Sequence, residues 1–407
     1  MTLSSSASRP YDVILYGATG FVGRQTVAYF AAHGTHVRWA LAGRNASKLE
    51  AIRKDAGPGA AQAGLLVAAA DDQAALAALA ASARVVLSTA GPFALFGSAL
   101  VAACVENGTH YVDITGETPW VRGLIDQHHA KAKRDGTRII PCCGFDSVPS
   151  DLGAWLAVQE MKARYGEVCA SVKASFSMRG GLNGGTLASA LNMIEAGQQA
   201  QMANPYLLNP DPQTRKPGHP LDADPFAPHF DADLDAWLAP FVMSPINTRV
   251  VRRSAALLGY GDAFHYQEYM RFGKGPVAAL SAAALSFGMA NGTAAMRIGP
   301  VRRMAKRFAP APGTGPSEAS MNNGFFRCDL VAQSPRGKTV KVRLSGQGDP
   351  GNRVTTRMVC EAALAFTGDR QTLPGGADAG GVLTAASGLG QVLVNRLRDT
   401  GMKLECL

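Results

Sequence analysis

The sequence predicts an α/β protein in which a doubly wound parallel sheet over residues 11–150 is followed by a second, α+β region over residues 151–407. Three observations predict it. Short apolar runs alternate with helical stretches from Tyr11 to Pro141. A glycine-rich heptapeptide sits between the first apolar run and the first helical stretch. After about Pro149 the alternation gives way to a mixed pattern of helix and half-buried strand.

The elements come in this order. Tyr11–Tyr16 (YDVILY) is a near-continuous apolar run, as strands buried on both faces are. A helical pattern runs from Phe21 to about His33. Val37–Ala42 is a second strand and Ser47–Lys54 a second helix. Leu65–Ala70 is a strand, Asp72–Ala81 an Ala-rich helix, Val85–Thr89 a strand and Gly97–Glu106 a helix. Tyr111–Asp113 and Arg138–Pro141 are shorter strands around a helix at Val121–Arg134. Right-handed crossovers then place a ligand crevice at the carboxyl ends of the strands.

Beyond Pro149, Asp151–Glu160 reads as helix, and Val172–Met178 alternates like a half-buried strand. Asn204–Pro228, rich in Pro and Asp, reads as a long loop. Phe325–Val331 and Val340–Leu344 are expected to pair antiparallel across Ser334–Lys338, and Thr355–Leu364 and Gly388–Arg398 to be helical. The expected organisation is a disordered tail over 1–10, the parallel-sheet domain over 11–150, and a domain over 151–407 that covers the crevice. The chain can return to the first domain near its C-terminus.

Composition bounds the function. Of 407 residues, 47% are hydrophobic and 17% charged, which suits a folded core and not disorder. The net charge of +9 is not gathered into a long Lys/Arg run, so a mildly basic enzyme is expected and a nucleic-acid partner is not. Seven cysteines without a C-x-x-C suggest neither a zinc site nor a disulfide framework, and fit a reducing cytoplasm. The eight histidines show no metal-binding spacing, so no metal is expected. The N-terminal MTLSSSASRP has no apolar core and does not read as a secretory signal.

The heptapeptide is Gly17-Ala18-Thr19-Gly20-Phe21-Val22-Gly23. It directly follows a strand and opens a helix, the context in which such a pattern is specific for a dinucleotide. Gly17 permits the tight turn, Gly20 lets the backbone approach a pyrophosphate, and Gly23 allows close helix–strand packing; the helix N-terminus supplies free N–H groups. Such Rossmann-type sites for NAD carry an acidic residue at the end of the second strand. Here stand Ala42-Gly43-Arg44-Asn45, with Lys48 close behind. Arg44 can bond a 2′-phosphate bidentately and Lys48 adds a point charge, so the expected cofactor is NADP(H). Asp71 and Asp72 either approach the adenine or cap a helix. Ser88, Thr89, Ala90, Gly91 and Pro92, at the end of the fourth strand, are small enough for ribose and nicotinamide to lie against the backbone.

GATGFVG, the AGR after the second strand, STAGPF (Ser88–Phe93), HYVDITGE (His110–Glu117) and GFDSVPSDL (Gly144–Leu152) together resemble the saccharopine dehydrogenase-like superfamily. GGTLASAL (Gly184–Leu191) and GGVLTAASGLG (Gly380–Gly390) resemble its trans-acting enoyl reductase branch. The resemblance implies an NADP-binding domain, a second α+β domain, and hydride delivery from NADPH to a C=C or C=N bond. It further implies an acyl substrate, free or linked to a carrier protein. Asp146 and Asp151 match two aspartates of the saccharopine reductase pattern, but Ser147-Val148 replace its Pro-Gly. Two other readings stay open: a C=N oxidoreductase of amino-acid metabolism, and a lipid-associated binding protein on the same scaffold.

Reduction of a conjugated C=C needs donors for the enolate oxygen and a proton for the α-carbon. Candidates near strand ends are His110, Asp113, Glu117, Cys142, Cys143 and Asp146, with Asp146 and Glu117 the expected catalytic pair. Asp146 could equally cap the helix that follows Pro149, and the two cysteines could simply be buried. None of the nine tyrosines has a lysine four positions on, which argues against the Y-x-x-x-K mechanism of short-chain dehydrogenases.

Val277–Ile298 is uncharged until Arg297 and is followed by Arg302, Arg303, Lys306 and Arg307. Its richness in small residues argues against a membrane span. It reads either as a buried or groove-lining helical hairpin or as a peripheral membrane contact through residues 277–307. Self-association into a homo-oligomer is a further expectation.

Overall fold

The computed structural model describes residues 9–180, 197, 199–211, 218–296, 298–308 and 313–407. The Gly184–Leu191 motif and residues 1–8 of the expected tail lie outside the described residues. Among these residues the strands are β1 (Tyr11–Tyr16), β2 (Trp39–Gly43), β3 (Gly64–Val67), β4 (Ala83–Ser88), β5 (His110–Asp113), β6 (Arg138–Ile140), β7 (Ser171–Arg179), β8 (His229–Asp231), β9 (Ala236–Pro240), β10 (His265–Gly273), β11 (Phe325–Gln333), β12 (Thr339–Gln347), β13 (Gly381–Val382) and β14 (Lys403–Cys406). The chain divides into two compact units. The first is Met1–Thr115, Gly123–Gly144 and Thr355–Arg396, and the second is Gly116–Arg122, Phe145–Val354 and Leu397–Leu407.

The first unit holds a parallel sheet in the order β13-β6-β5-β4-β1-β2-β3. Between its strands run α1 (Phe21–His33), α2 (Ala46–Asp55), α3 (Gln73–Ala81), α4 (Phe93–Phe96) and α5 (Ser98–Glu106). Helices on both faces explain why β1 needs an unbroken apolar run: Val13, Ile14 and Leu15 are all buried. The register sets Ala42, Tyr16, Ser88 and Asp113 in one row at the carboxyl edge, with the order reversing between β1 and β4.

The C-terminal return completes this unit. The helix Thr355–Leu364 packs on α1, β4 and β5, and β13 pairs with β6 through Gly381 and Arg138. The parallel pattern hides this strand because it is only two residues long. Arg9, in the expected tail, is fastened: its guanidinium donates to the Thr109 hydroxyl at 2.7 Å, the Asn107 carbonyl at 2.6 Å and the Ala83 carbonyl. A five-donor fork suits a cluster of oxygens, so ordered chain begins before Tyr11.

The second unit holds a mixed sheet in the order β14-β12-β11-β7-β10-β9-β8, with only the β7–β10 pair parallel. The expected β11–β12 hairpin is present, and Ser334 N–H meets the Lys338 carbonyl at 2.9 Å. The helix α7 (Val148–Tyr165) packs on β11 and β12; between α5 and α7 in the chain lies α6 (Thr118–Arg134).

The helix Ser244–Leu258 escapes the apolar pattern because Arg249, Arg252 and Arg253 lie on it and are nonetheless buried. Their guanidinium groups fasten the Pro- and Asp-rich stretch that the sequence reads as a long loop. Arg249 donates to Asp224 Oδ2 and to the Met202 carbonyl, both at 2.6 Å. Arg252 donates to the Pro205 carbonyl at 3.1 Å, and Arg253 to that of Leu208.

The reading of 277–298 as a buried hairpin is corrected. One helix, Gly275–Ala295, runs through it, and Val277, Leu280 and Phe287 are 77%, 73% and 72% exposed. Three glycines and an asparagine do not break it, because tertiary packing along one face sustains the helix. No helix among the described residues is long and apolar enough to cross a membrane.

Candidate functional site

The glycine loop takes its shape from three residues without side chains. Gly17 has φ +83°, and a Cβ there would stand 2.8 Å from Ala90 N. Gly23 faces the loop so closely that a Cβ would fall 2.2 Å from the Gly17 carbonyl oxygen. At Gly20 a Cβ would meet only that same oxygen, at 3.3 Å. Gly20 is also the N-cap of α1 and adds no side-chain acceptor, and the first turn of α1 holds no acidic residue. The first-turn amides and the helix dipole are therefore available to an anion. A turn that admits no Cβ at Gly17 or Gly23, next to an uncapped helix N-terminus, fits a dinucleotide pyrophosphate.

The end of β4 braces this loop. Thr89 N–H donates to the Tyr16 carbonyl at 2.9 Å, and the Thr89 hydroxyl to the Gly17 carbonyl at 3.2 Å. Ser88 is buried, Gly91 is exposed, and Thr89, Ala90 and Pro92 lie between. On the other side, Arg44 and Lys48 are exposed just beyond β2. Asn45 between them caps α2 by accepting from Lys48 N–H at 2.9 Å. That cap fixes the backbone from which Arg44 projects. Burial raises the Tyr16 hydroxyl above its ordinary range, Asp71 adds to the rise, and the Arg44 charge opposes it. Both residues therefore stand near the carboxyl end of β1. Asp72 is the cap of α3, accepting from Ala75 N–H at 3.0 Å.

Two candidates turn out to be structural. His110 is the first residue of β5, and in a parallel strand that is the end opposite the crevice. Its Nδ1 accepts from Arg138 N–H at 3.1 Å and its ring stacks on Phe366. Burial, with the Arg370, Arg138 and Arg9 charges nearby, pushes it down to about 3, so it stays neutral. Asp113, buried at the correct end, is a bracket. Its Oδ1 accepts from Thr115 N–H at 2.9 Å and Cys142 N–H at 3.0 Å, while its carbonyl accepts from Cys143 N–H at 2.7 Å. Cys142, with φ +62°, and Cys143 are both buried.

The two carboxylates expected to be catalytic belong to the second unit. Glu117 is fully buried immediately before α6, and its carbonyl accepts from Val121 N–H. Asp146 is half-buried and precedes α7, whose N-cap is Ser147, so Asp146 does not cap the helix. Burial pushes the Asp146 carboxyl up to about 6. Asp151, in the first turn of α7, is buried and accepts from the Ser254 hydroxyl.

Beneath Ser147 lies a polar network that the sequence pattern does not reveal. Ser147 Oγ donates to Asn247 Oδ1 at 3.1 Å, and Asn247 Nδ2 donates to Glu268 Oε1 at 2.8 Å. The other Glu268 oxygen accepts from Ser150 at 2.7 Å and Tyr266 at 2.9 Å. Burial pushes Glu268 up to about 7. A fully satisfied network of this kind fixes one arrangement of the α7 N-terminus. The only trace in the sequence is a glutamate in the middle of the β10 run.

The chain is similar to known proteins over nearly its whole length. Residues 13–140 match the saccharopine dehydrogenase NADP binding domain family. The chain is 37% identical over 427 residues to a trans-acting enoyl reductase of Mycobacterium tuberculosis, covering 98% of each chain. It belongs to the trans-acting enoyl reductase family. A second member, from Mycobacterium ulcerans, is 36% identical over 417 residues, again covering 98% of each. The fold of this family member is also that of apo saccharopine dehydrogenase from Saccharomyces cerevisiae, at a TM-score of 0.54 and 14% identity over 98% of this chain and 100% of the other.

Proposed function

We propose that this chain is an NADPH-dependent reductase of the C=C bond in an α,β-unsaturated acyl group, presented as a thioester or on a carrier protein. The observation that carries the reading is the uncapped glycine cradle followed by Arg44, within a chain similar to trans-acting enoyl reductases from end to end. Bound NADPH supplies the hydride that ends on the β-carbon.

The chain's residues supply position and the proton. Gly17 to Gly23 hold the pyrophosphate on the backbone, and Arg44 with Lys48 holds the 2′-phosphate. Ser88 to Pro92 leave room for the ribose and nicotinamide. Asp146 donates the proton that ends on the α-carbon, so that the C=C becomes a C–C bond; burial keeps part of it protonated near neutrality. Glu117 orients the acyl carbonyl through a donor or water. Ser147, held by Asn247 and Glu268, fixes the backbone that carries Asp146.

NADPH oxidation with a synthetic enoyl thioester tests the reading. Consumption of NADPH with formation of the saturated thioester is expected. Turnover only with an imine or amino acid would replace it with the C=N alternative. Two predictions accompany it. Arg44→Ala should cut the preference for NADPH over NADH by at least about tenfold, or about 1.4 kcal/mol; equal affinities of the wild type for both would remove Arg44 from the site.

The second concerns pH. Asp146 must be protonated to act, and its folded-state value is raised to about 6. Turnover should therefore be highest below pH about 6 and fall as pH rises through it. Asp146→Asn should lower turnover and abolish that falling limb; a variant with an unchanged profile would exclude Asp146 as the donor.

A further inference from the structure

The helix Gly275–Ala295 contains no Asp, Glu, Lys or Arg. Ala278, Ala282 and Ser286 form its buried stripe against β9 and β10, and their small side chains let the helix lie close to the sheet. A second stripe, Val277, Leu280, Ala284 and Phe287, is exposed at alternating spacings of three and four residues. A contiguous apolar row on a helix marks a contact surface, whereas scattered apolar residues do not.

The next stretch of chain sets the chemistry of the partner. Ile298 and Met304 are exposed, and the sequence of the helix Gly299–Phe308 includes Arg302, Arg303, Lys306 and Arg307 together with Val301, Met304 and Phe308. Apolar residues at 301, 304 and 308 and basic residues between them make an amphipathic basic helix. Between Lys274 and Glu318 the chain has five Lys/Arg and no Asp or Glu. The formal charge of this stretch is therefore wholly positive.

From these observations we infer that residues 275–308 dock on the surface of an anionic lipid bilayer. The exposed stripe enters the boundary between headgroups and acyl chains, and the basic helix lies over the headgroups. From Val277 to Phe287 the stripe is apolar, and Asn291 at its end turns its amide back onto the Phe287 carbonyl at 2.8 Å, which suits a fluid surface better than a partner of fixed shape. The contact is peripheral, since no described helix can span. The inference does not depend on the proposed reaction.

Co-sedimentation of the full chain with vesicles tests it. One set is phosphatidylcholine alone and the other contains phosphatidylglycerol, each at low and high salt. Binding to the anionic vesicles at low salt, lost at high salt, is expected. Arg302→Glu with Arg303→Glu and Arg307→Glu should weaken partitioning at least about a hundredfold. Leu280→Glu with Phe287→Glu should abolish it, and retained NADPH binding shows that both variants fold. Wild-type protein that stays in solution with anionic vesicles overturns the inference. So does binding that ignores charge reversal. A wild-type dimer that Leu280→Glu with Phe287→Glu converts to monomer, without vesicle binding, would overturn it too and make the stripe an interface between two copies.

Discussion

Replacing Gly23 by valine should abolish NADPH binding. The first atom of the new side chain would lie 2.2 Å from the Gly17 carbonyl oxygen and 2.9 Å from the Ala18 backbone. Both neighbours are backbone, so relief requires the glycine loop to move away from α1. The loop has little room, because Gly17 already approaches Ala90 and is bonded by the Thr89 hydroxyl. The pyrophosphate amides would then no longer converge. An increase in Kd of at least about a hundredfold is expected, equivalent to about 2.7 kcal/mol. Gly20→Ala separates binding from folding, since its Cβ meets only the Gly17 oxygen, at 3.3 Å. It should fold with a melting temperature near that of the wild type and still bind NADPH weakly, because the backbone there can no longer approach a phosphate. Fluorescence titration with NADPH checks both variants. Wild-type affinity in Gly23→Val would show that the loop is not the pyrophosphate cradle.

The cradle is legible in the sequence because few residue types tolerate its backbone. A positive φ at Gly17 and a 2.2 Å approach at Gly23 exclude side chains, so the glycine spacing itself records the geometry. β1 and the helix Thr355–Leu364 have the bounds the apolar pattern predicts, because each is buried along nearly its whole length and its ends coincide with the ends of that run. Pattern fails where partners come from far along the chain. The buried arginines of Ser244–Leu258 look like a solvated face until the carbonyls at Met202, Pro205 and Leu208 are brought to them. Glu268 sits in a strand as an isolated charge, and only folding supplies Ser150, Asn247 and Tyr266. His110 misleads for a simpler reason: it opens its strand, and parallel pairing puts strand beginnings and ends on opposite edges. The stretch 277–298 is apolar yet exposed, so composition and burial part company there.

Asp113→Ala should destabilise the fold strongly. Asp113 is fully buried at the end of β5, and one carboxylate oxygen collects the N–H groups of Thr115 and Cys142. These begin the chain segments that lead to Glu117 and Asp146. Alanine leaves both donors without that acceptor in a site closed to water. Each unmet buried group costs roughly 1–3 kcal/mol, so a loss of about 3 kcal/mol is expected. For domains of this size that is a fall in Tm of roughly 5–10 °C. Asp113→Asn keeps an oxygen at the Oδ1 position but replaces the charge and the second acceptor with an amide NH2, so its loss should be smaller, about 1 kcal/mol. Calorimetry of the two variants distinguishes this bracket from a catalytic role. A catalytic Asp113 would give both variants the stability of the wild type and equal losses of turnover. A bracket gives a graded loss of stability, with turnover falling more steeply than NADPH affinity, since the glycine cradle starts from β1 and the displaced segments start from β5 and β6.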